Sequence, residues 1–291
     1  MSRIAYVNGR YLPHADAGVH IEDRGYQFAD GVYEVCEIRD GRLIDERRHL
    51  DRLDRSLAEL RISSPMARGA LGVVLREVVR RNRVRDGLVY LQVTRGVAPR
   101  NHPFPAPGTP PALVVTAKSV PRAVHEHSAE AGVAVISVPD NRWDRVDIKT
   151  VGLLPNVLAK QAARDAGAYE AWFYDADGNV TEGSSTNAWI VTADGKIVTR
   201  PAEHGILRGI TRTVLLDVAA RLGLAIEERK FSIDEAKKAR EAFITGATTI
   251  VTPVVRIDDS PIGNGAPGSI ATELRRHFHD LAERSPRWSR G

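Results

Sequence analysis

The stretch 147–156 reads Asp147-Ile148-Lys149-Thr150-Val151-Gly152-Leu153-Leu154-Pro155-Asn156 and joins a predicted strand to a predicted helix. Its lysine lies among apolar residues and is one of seven lysines among 41 lysine and arginine residues. A lysine can lose its proton and form a Schiff base with a carbonyl compound, which arginine cannot do. Lys149 is therefore a candidate reactive lysine, and a buried salt-bridge lysine is the alternative.

Length and composition narrow the class of protein. A chain of 291 residues suits one large or two modest domains with a hydrophobic core. Acids and bases nearly balance at a net charge of +4, without the basic run of a nucleic-acid-binding face. The single cysteine, Cys36, excludes internal disulfides and fits a reducing cytoplasm. We expect no signal peptide, and no apolar run approaches the ~20 residues that cross a membrane. We expect a cytoplasmic globular protein without nucleic-acid, membrane or metal partners.

Turn residues and apolar periodicity predict an α+β unit in the first part of the chain. Asn8-Gly9 and Asp40-Gly41 each separate two short apolar runs, as in tight β-hairpins. Apolar residues every three to four positions predict one helix from about His49 and another at 69–83. Strands are predicted at 88–94 and 112–117. These elements form antiparallel strands with helices on one side.

The second part of the chain is predicted to form another α+β domain. Residues 120–125, polar and broken by Pro121, are predicted to link a domain at 1–119 to one at 126–291. Strands are predicted at 133–138, 171–174, 188–191, 225–231, 242–245 and 250–257, and helices at 153–166 and 211–222, from Ile233 and from Ile270. The helix at 153–166 carries an apolar stripe that includes Leu154, Val157 and Leu158. Turn signals in both halves favour α+β domains over a doubly wound parallel sheet.

Two segments are candidate phosphate sites. Gly209-Ile210-Thr211-Arg212 opens a predicted helix, whose free N–H groups and dipole attract anions. Thr245-Gly246-Ala247-Thr248-Thr249 lies between two strands and offers N–H and hydroxyl donors. Each segment has a structural alternative as an N-cap or a turn. Pyridoxal 5′-phosphate requires a reactive lysine together with a phosphate site, and it also needs an acid beside its ring nitrogen. Glu182, in a predicted polar loop, is a candidate for that acid. The alternative is that Glu182 is a solvated turn residue.

Four blocks of sequence resemble the fold-type IV pyridoxal-phosphate transaminases, and most closely the D-amino acid aminotransferases. The blocks run from Arg24 to Val35, Asp147 to Thr150, Asn156 to Gln161 and Glu182 to Asn187. They occur in the family's order, and the resemblance covers the chain from Tyr6 to about Pro253. It implies two domains, a small α/β sandwich followed by a larger pseudo-barrel domain that binds the cofactor.

The resemblance also implies roles for individual residues. Lys149 matches the lysine that binds the cofactor covalently and then moves the substrate proton, and Glu182 matches the partner of the pyridine nitrogen. The other residues matched to cofactor-binding positions are Arg52, Leu207, Ile210, Thr211, Gly246 and Ala247. Ala247 departs from the family, which commonly has a hydroxyl residue there, and we expect Thr248 to compensate. Ile250 stands where relatives often carry glutamate.

Substrate recognition rests on the loop 95–105. Its Arg100-x-His102 pair resembles the D-amino acid aminotransferase pair that binds the substrate carboxylate together with a tyrosine, here Tyr33. A planar guanidinium suits a carboxylate because it can donate two parallel hydrogen bonds. Val35 and Ser185 are expected to line the side-chain pocket, with Glu37 close to them. In the family this loop crosses a dimer interface, so the resemblance implies a homodimer.

The resulting functional hypothesis is a transaminase that moves the amino group of a D-amino acid, D-alanine first, to a 2-oxo acid such as 2-oxoglutarate. The expected mechanism is ping-pong. Three alternatives share the fold: branched-chain L-amino acid aminotransferase, (R)-amine transaminase and aminodeoxychorismate lyase. An inactive cofactor-binding scaffold is the alternative from another class.

Overall fold

A computed structural model describes residues 3–203 and 205–286 of the chain. The described residues fall into two compact units. The first unit contains the residues up to Arg122, the segment Ile148–Gly152 and the described residues from Glu283 onward. The second contains Ala123–Asp147 and Leu153–Ala282. The division at 1–119, 120–125 and 126–291 stays a prediction, although residues 122–125 of the expected linker are helical.

The first unit is a six-stranded sheet with helices against one face. Its elements are β1 (Ile4–Val7), β2 (Arg10–Pro13), α1 (Arg24–Phe28), β3 (Gly31–Arg39), β4 (Arg42–Leu43), α2 (Glu46–Glu59), α3 (Arg68–Arg81), β5 (Gly87–Thr94) and β6 (Ala112–Ser119). A short 3₁₀ turn, His14–Asp16, follows β2. The strand order is β2-β1-β6-β5-β3-β4, and all neighbours are antiparallel. The two predicted hairpins are confirmed, because Asn8, Gly9, Asp40 and Gly41 all have positive φ.

Alternation along β3 gives the first unit a core face and an open face. Val32, Cys36 and Ile38 are buried with the apolar stripes of α2 and α3, as the helix periodicity predicted. The intervening residues Tyr33 and Val35 are only half-buried and face the other way. The site residues of β3 therefore lie on the face that the helices do not cover.

The second unit is built on a curled mixed sheet of nine strands. Its elements are α4 (Arg122–Ala131), β7 (Val133–Pro139), α5 (Leu154–Asp165), β8 (Glu170–Tyr174), β9 (Val180–Gly183), β10 (Asn187–Val191), β11 (Ile197–Thr199), α6 (Ile210–Arg221), β12 (Ile226–Glu228), α7 (Ile233–Lys237), β13 (Glu241–Gly246), β14 (Ile250–Ile257), β15 (Ser260–Pro261) and α8 (Ser269–Leu281). The strand order is β12-β11-β10-β13-β14-β7-β8-β9, with β15 on β14. Because β9 comes back against β10, the strands nearly close a barrel. The α+β fold with a pseudo-barrel is confirmed.

The second unit corrects one expectation and leaves an apolar stripe exposed. Glu182 lies in strand β9 and is 6 % exposed, so its assignment to a polar loop is wrong. The exposed fractions of Leu154 and Val157 on α5 are 68 % and 59 %, because this helix packs through Ala159 and Ala163 instead. In the part of the chain that the structure describes, no helix is both long and apolar enough to cross a membrane.

Candidate active site

Strand β3 holds Lys149 beside Tyr33 in the first unit. The Tyr33 amide donates to the Lys149 carbonyl at 3.0 Å, and Val32 forms an isolated β-bridge with Thr150. This short pairing brings the lysine Nζ to 3.2 Å from the Tyr33 hydroxyl and 4.2 Å from the centre of its ring. Lys149 is half-buried and its hydrogen-bond partner is a phenol hydroxyl. The amine is thus positioned but accessible.

Arg52 is held by the carboxylate of Glu34, which lies on the helix-covered face of the same strand. Glu34 is fully buried, and its Oε1 accepts from Arg52 Nε at 2.7 Å. Its Oε2 accepts from Arg52 Nη2 at 2.8 Å and lies 2.7 Å from His49 Nδ1. Burial alone raises the pKa of Glu34, but the Arg52 charge and hydrogen bonds from both partners lower it to about 2. Glu34 therefore stays ionised and fixes the guanidinium plane of Arg52.

The carboxylate loop, residues 95–105, lies against α1 of its own chain. Arg100 and His102 are exposed, and both contact the Phe28 ring. Among the described residues, neither side chain forms a hydrogen bond or ring contact with Tyr33. One protomer therefore does not assemble the predicted Tyr33–Arg100–His102 trap.

Glu182 is the centre of a hydrogen-bond network in the second unit. One carboxylate oxygen accepts from Arg142 Nη1 at 2.5 Å, and the other accepts from the Leu207 amide at 3.1 Å and Asn187 Nδ2 at 3.2 Å. The Arg142 side chain is 5 % exposed and also donates to Asp140. Burial raises the pKa of Asp140, yet the bonds from Arg142 hold it below its ordinary value.

Sequence reasoning did not identify Arg142 as a site residue. It lies 40 residues from Glu182 in the chain, and one arginine among many carries no local signal. Asn187, in contrast, belongs to the block that resembles the family, and its amide links Glu182 to the Leu207 carbonyl at 2.9 Å. Gly209 lies two residues after Leu207, and a Cβ there would lie 2.1 Å from Asn187 Oδ1. Close packing therefore requires glycine just before helix α6.

The two candidate phosphate segments keep their donors in the described structure. Helix α6 begins at Ile210 without a side-chain cap, so the amides of Ile210 and Thr211 point out of its first turn. In the turn after β13, the buried Thr249 Oγ1 has no hydrogen-bond partner. The spare buried hydroxyl is thus that of Thr249, while Ala247 and Thr248 are half-exposed.

Backbone strain marks the same turn. Ile250, which ends it, has φ of +58°, a conformation that costs a β-branched residue about 1–2 kcal/mol. Such strain commonly accompanies functional sites. The Ile250 side chain is buried, which offsets part of that cost.

Ser185 belongs to a turn organised by another buried carboxylate. Glu170 is fully buried and accepts from the Ser185 hydroxyl at 2.7 Å, from Thr186 at 3.3 Å and from Ser184. A Cβ on Gly246 would lie 3.4 Å from the Ser185 carbonyl. The structure thus places Ser185 next to the Gly246 turn.

Val35 belongs to the first unit, where it lies two residues after Tyr33 in β3 and on the same face of the strand.

The chain belongs to the amino-transferase class IV family, whose model matches residues 31–257. It is 44 % identical over 268 residues to the D-alanine aminotransferase of Bacillus licheniformis, covering 92 % of this chain and 93 % of that protein. It is also 40 % identical over 277 residues to the D-alanine aminotransferase of Listeria innocua, covering 94 % and 93 %.

A solved structure supports the same fold. The branched-chain amino acid aminotransferase of T.th. with pyridoxamine 5′-phosphate superposes with a TM-score of 0.88 at 29 % identity, over 96 % of this chain and 94 % of that one. Enzymes of this fold depend on pyridoxal 5′-phosphate.

The residues present fit that cofactor. Its aldehyde needs an amine, its ring nitrogen an acid and its phosphate several N–H or hydroxyl donors. In the first unit, Lys149 is an amine of the kind that the aldehyde needs, and in the second unit Glu182 is a buried acid of the kind that the ring nitrogen needs. The Thr249 hydroxyl, buried without a partner, and the uncapped start of α6 supply donors of the kind that a phosphate binds.

Proposed function

We propose that this protein is a pyridoxal-phosphate-dependent transaminase that moves the amino group of a D-amino acid to a 2-oxo acid. The observation that carries the proposal is the amine of Lys149 held at 3.2 Å from the Tyr33 hydroxyl. D-alanine as donor is supported by relatives named D-alanine aminotransferase that are 37–44 % identical. An acceptor such as 2-oxoglutarate completes the ping-pong cycle.

Lys149 acts at the reacting carbon. The bound cofactor supplies an electron sink that makes the substrate Cα–H bond acidic. Lys149 would hold the cofactor through its amine, and the same amine would take the proton from the substrate Cα and return it on the product side. The Tyr33 hydroxyl orients Nζ through its hydrogen bond.

Glu182 would accept a hydrogen bond from the protonated ring nitrogen of the cofactor. Arg142, Asn187 and the Leu207 amide donate to its carboxylate and fix the orientation that this contact needs. The phosphate would be held by Arg52 and by the amides of Ile210, Thr211, Gly246 and Ala247, and Leu207 would pack against the ring.

Arg100 and His102 bind the substrate carboxylate from the partner protomer. Both side chains are exposed and contact Phe28 rather than Tyr33 within one chain, which is the arrangement expected of a loop that reaches into a neighbouring site. We therefore propose a homodimer in which residues 95–105 cross the interface and meet Tyr33 of the other copy. Val35 and Ser185 line the side-chain pocket, and the cytoplasmic location stays a prediction.

The visible spectrum of the purified holoprotein tests the proposal. D-alanine, L-leucine and (R)-phenylethylamine are each added without an oxo acid. We expect D-alanine alone to remove the visible absorbance band of the resting enzyme. Bleaching by L-leucine instead would favour a branched-chain aminotransferase and contradict the roles of Arg100 and His102.

A variant of Lys149 separates chemistry from binding. Lys149→Arg keeps the positive charge but cannot form a covalent bond with the cofactor, so we expect turnover to be lost. Lys196→Arg, in an exposed turn where the lysine pairs with Asp194, is the control and should turn over normally. Normal turnover by Lys149→Arg would contradict the assignment.

A further inference from the structure

The carboxylate loop is attached to α1 at its base by backbone hydrogen bonds. The Arg24 amide donates to the Gly96 carbonyl at 2.9 Å, and the Arg95 amide donates to the Asp30 carbonyl at 3.0 Å. Asp23 and Val97 form an isolated β-bridge. The base of the loop therefore follows the position of α1 and of the residues that flank it.

Arg24 continues this attachment toward the tip of the loop. Its side chain is 4 % exposed and donates through Nη1 to the Asn101 carbonyl at 2.6 Å and through Nη2 to the His102 carbonyl at 3.3 Å. Nε donates to Asp30 at 2.8 Å, and Arg95 also donates to that carboxylate. Burial raises the pKa of Asp30, but the bonds from Arg95 and Arg24 hold it below its ordinary value. Asp30 is therefore an anion, and its carboxylate fixes the Arg24 side chain.

Phe28, the last residue of α1, contacts the side chains at the tip. The Arg100 guanidinium carbon lies 4.6 Å from its ring centre, and that of Arg24 lies 4.8 Å from it. The His102 ring centre is 5.4 Å away, with the two rings tilted by 48°. One half-buried ring therefore contacts both residues that are to bind the carboxylate.

We propose that Phe28 is a positioning residue for substrate binding, which holds Arg100 and His102 in the conformation that receives a carboxylate. This inference rests on the proposed function of those two residues. If the loop adopts the binding conformation for only a fraction of the time, the apparent affinity for the substrate carboxylate is the intrinsic affinity multiplied by that fraction. Cation–π and ring contacts of this kind are each worth roughly a 2- to 30-fold change in a population. Once substrate is bound, the loop is in place and the chemical step is unaffected.

The test is Phe28→Leu in the holoenzyme with D-alanine and 2-oxoglutarate as substrates. We expect KM for both to rise by about 3- to 30-fold while kcat stays within about twofold. The Kd for D-lactate, which carries the carboxylate without the amino group, should rise by the same factor in calorimetry. Phe28→Trp retains a ring face and should restore values near those of the wild type.

Two control variants test whether the effect is specific to the contact between Phe28 and Arg100. Tyr26→Leu removes an aromatic ring on α1 that is 76 % exposed, and it should leave KM unchanged. In the Arg100→Ala background, Phe28→Leu should add much less than it does alone, because their effects share one contact.

Each result has a defined reading. Wild-type enzyme that does not turn over D-alanine refutes the proposed function, whatever Phe28 does. If the wild type turns over D-alanine normally but Phe28→Leu has an unchanged KM and D-lactate Kd, the positioning role alone is refuted. A fall in the kcat of Phe28→Leu with its KM unchanged would refute it as well. Should Phe28→Leu not fold, Phe28→Met, which also lacks a ring face, carries the same expectations.

Discussion

Replacing Glu34 by glutamine tests whether the buried pair with Arg52 is the main acid-sensitive element of the first unit. Glu34 has a pKa of about 2, against an ordinary value of 4.5. That difference of about 2.5 pH units corresponds to about 3 kcal/mol of stability at pH 7. Because the folded pKa is the lower one, this stabilisation is complete above about pH 5 and is lost as the pH falls through about 2.

The assay is urea unfolding followed by circular dichroism at one fixed protein concentration. At pH 7 we expect Glu34→Gln to lower the free energy of unfolding by about 3 kcal/mol, since Arg52 keeps a buried charge without its partner. At pH 3 the gap to the wild type should shrink by about 2 kcal/mol, because the wild type has lost most of its advantage. Weaker cofactor binding should accompany the loss, because Arg52 is no longer fixed.

A matched control lies three residues along the same strand. Glu37 is half-buried on the open face, 3.8 Å from Arg39, so Glu37→Gln should change stability by less than about 1 kcal/mol at either pH. A Glu34→Gln variant as stable as the wild type would refute the reasoning. So would a deficit of the same size at pH 7 and pH 3, since the effect would then not involve the carboxylate charge.

Three further substitutions give distinct outcomes. Arg100→Ala should raise KM for D-alanine and 2-oxoglutarate by about 10- to 100-fold in steady-state kinetics, because a charged hydrogen-bond pair is lost; an unchanged KM removes Arg100 from the site. Arg142→Met should lower the free energy of unfolding by about 3–5 kcal/mol and weaken cofactor retention, because Glu182 loses a buried cation; an unaltered melting curve contradicts this. Gly268→Ala should cost about 1–3 kcal/mol in thermal unfolding, because its Cβ would lie 2.0 Å from Glu241 Cδ, whose oxygens cap helix α8.

Local signals predicted most of the secondary structure. The Asp40-Gly41 turn forms as expected, because both residues adopt the positive φ that the tight hairpin needs. The helices α2 and α3 also form where apolar periodicity placed them, within three residues at each predicted end. Helix α1 was missed because it is a single turn, defined by the Asp23 cap and a left-handed Ala29 rather than by periodicity.

Features that depend on long-range pairing were not predictable in the same way. Glu182 looked like a loop residue because a glutamate between small polar residues is usually solvated. It lies buried in a strand because Arg142, far away in sequence, neutralises it. The stripe of Leu154 and Val157 satisfied the helical period but does not pack inward, since periodicity shows which residues share a face and not what covers that face.

Arginine and lysine have different roles in this chain, since arginine pairs with carboxylates in the interior and Lys149 is the candidate reactive amine. The carboxylates of the buried Glu34 and Glu182 and of the partly buried Asp30 all accept hydrogen bonds from arginine, which keeps its proton in proteins and donates in a rigid fork. Lys149 instead donates to the hydroxyl of Tyr33, which orients the amine without forming an ion pair with it. Of the two cationic side chains only lysine can form a Schiff base with a carbonyl compound. Arginine therefore serves the structural ion pairs, and the proposed covalent role falls to Lys149.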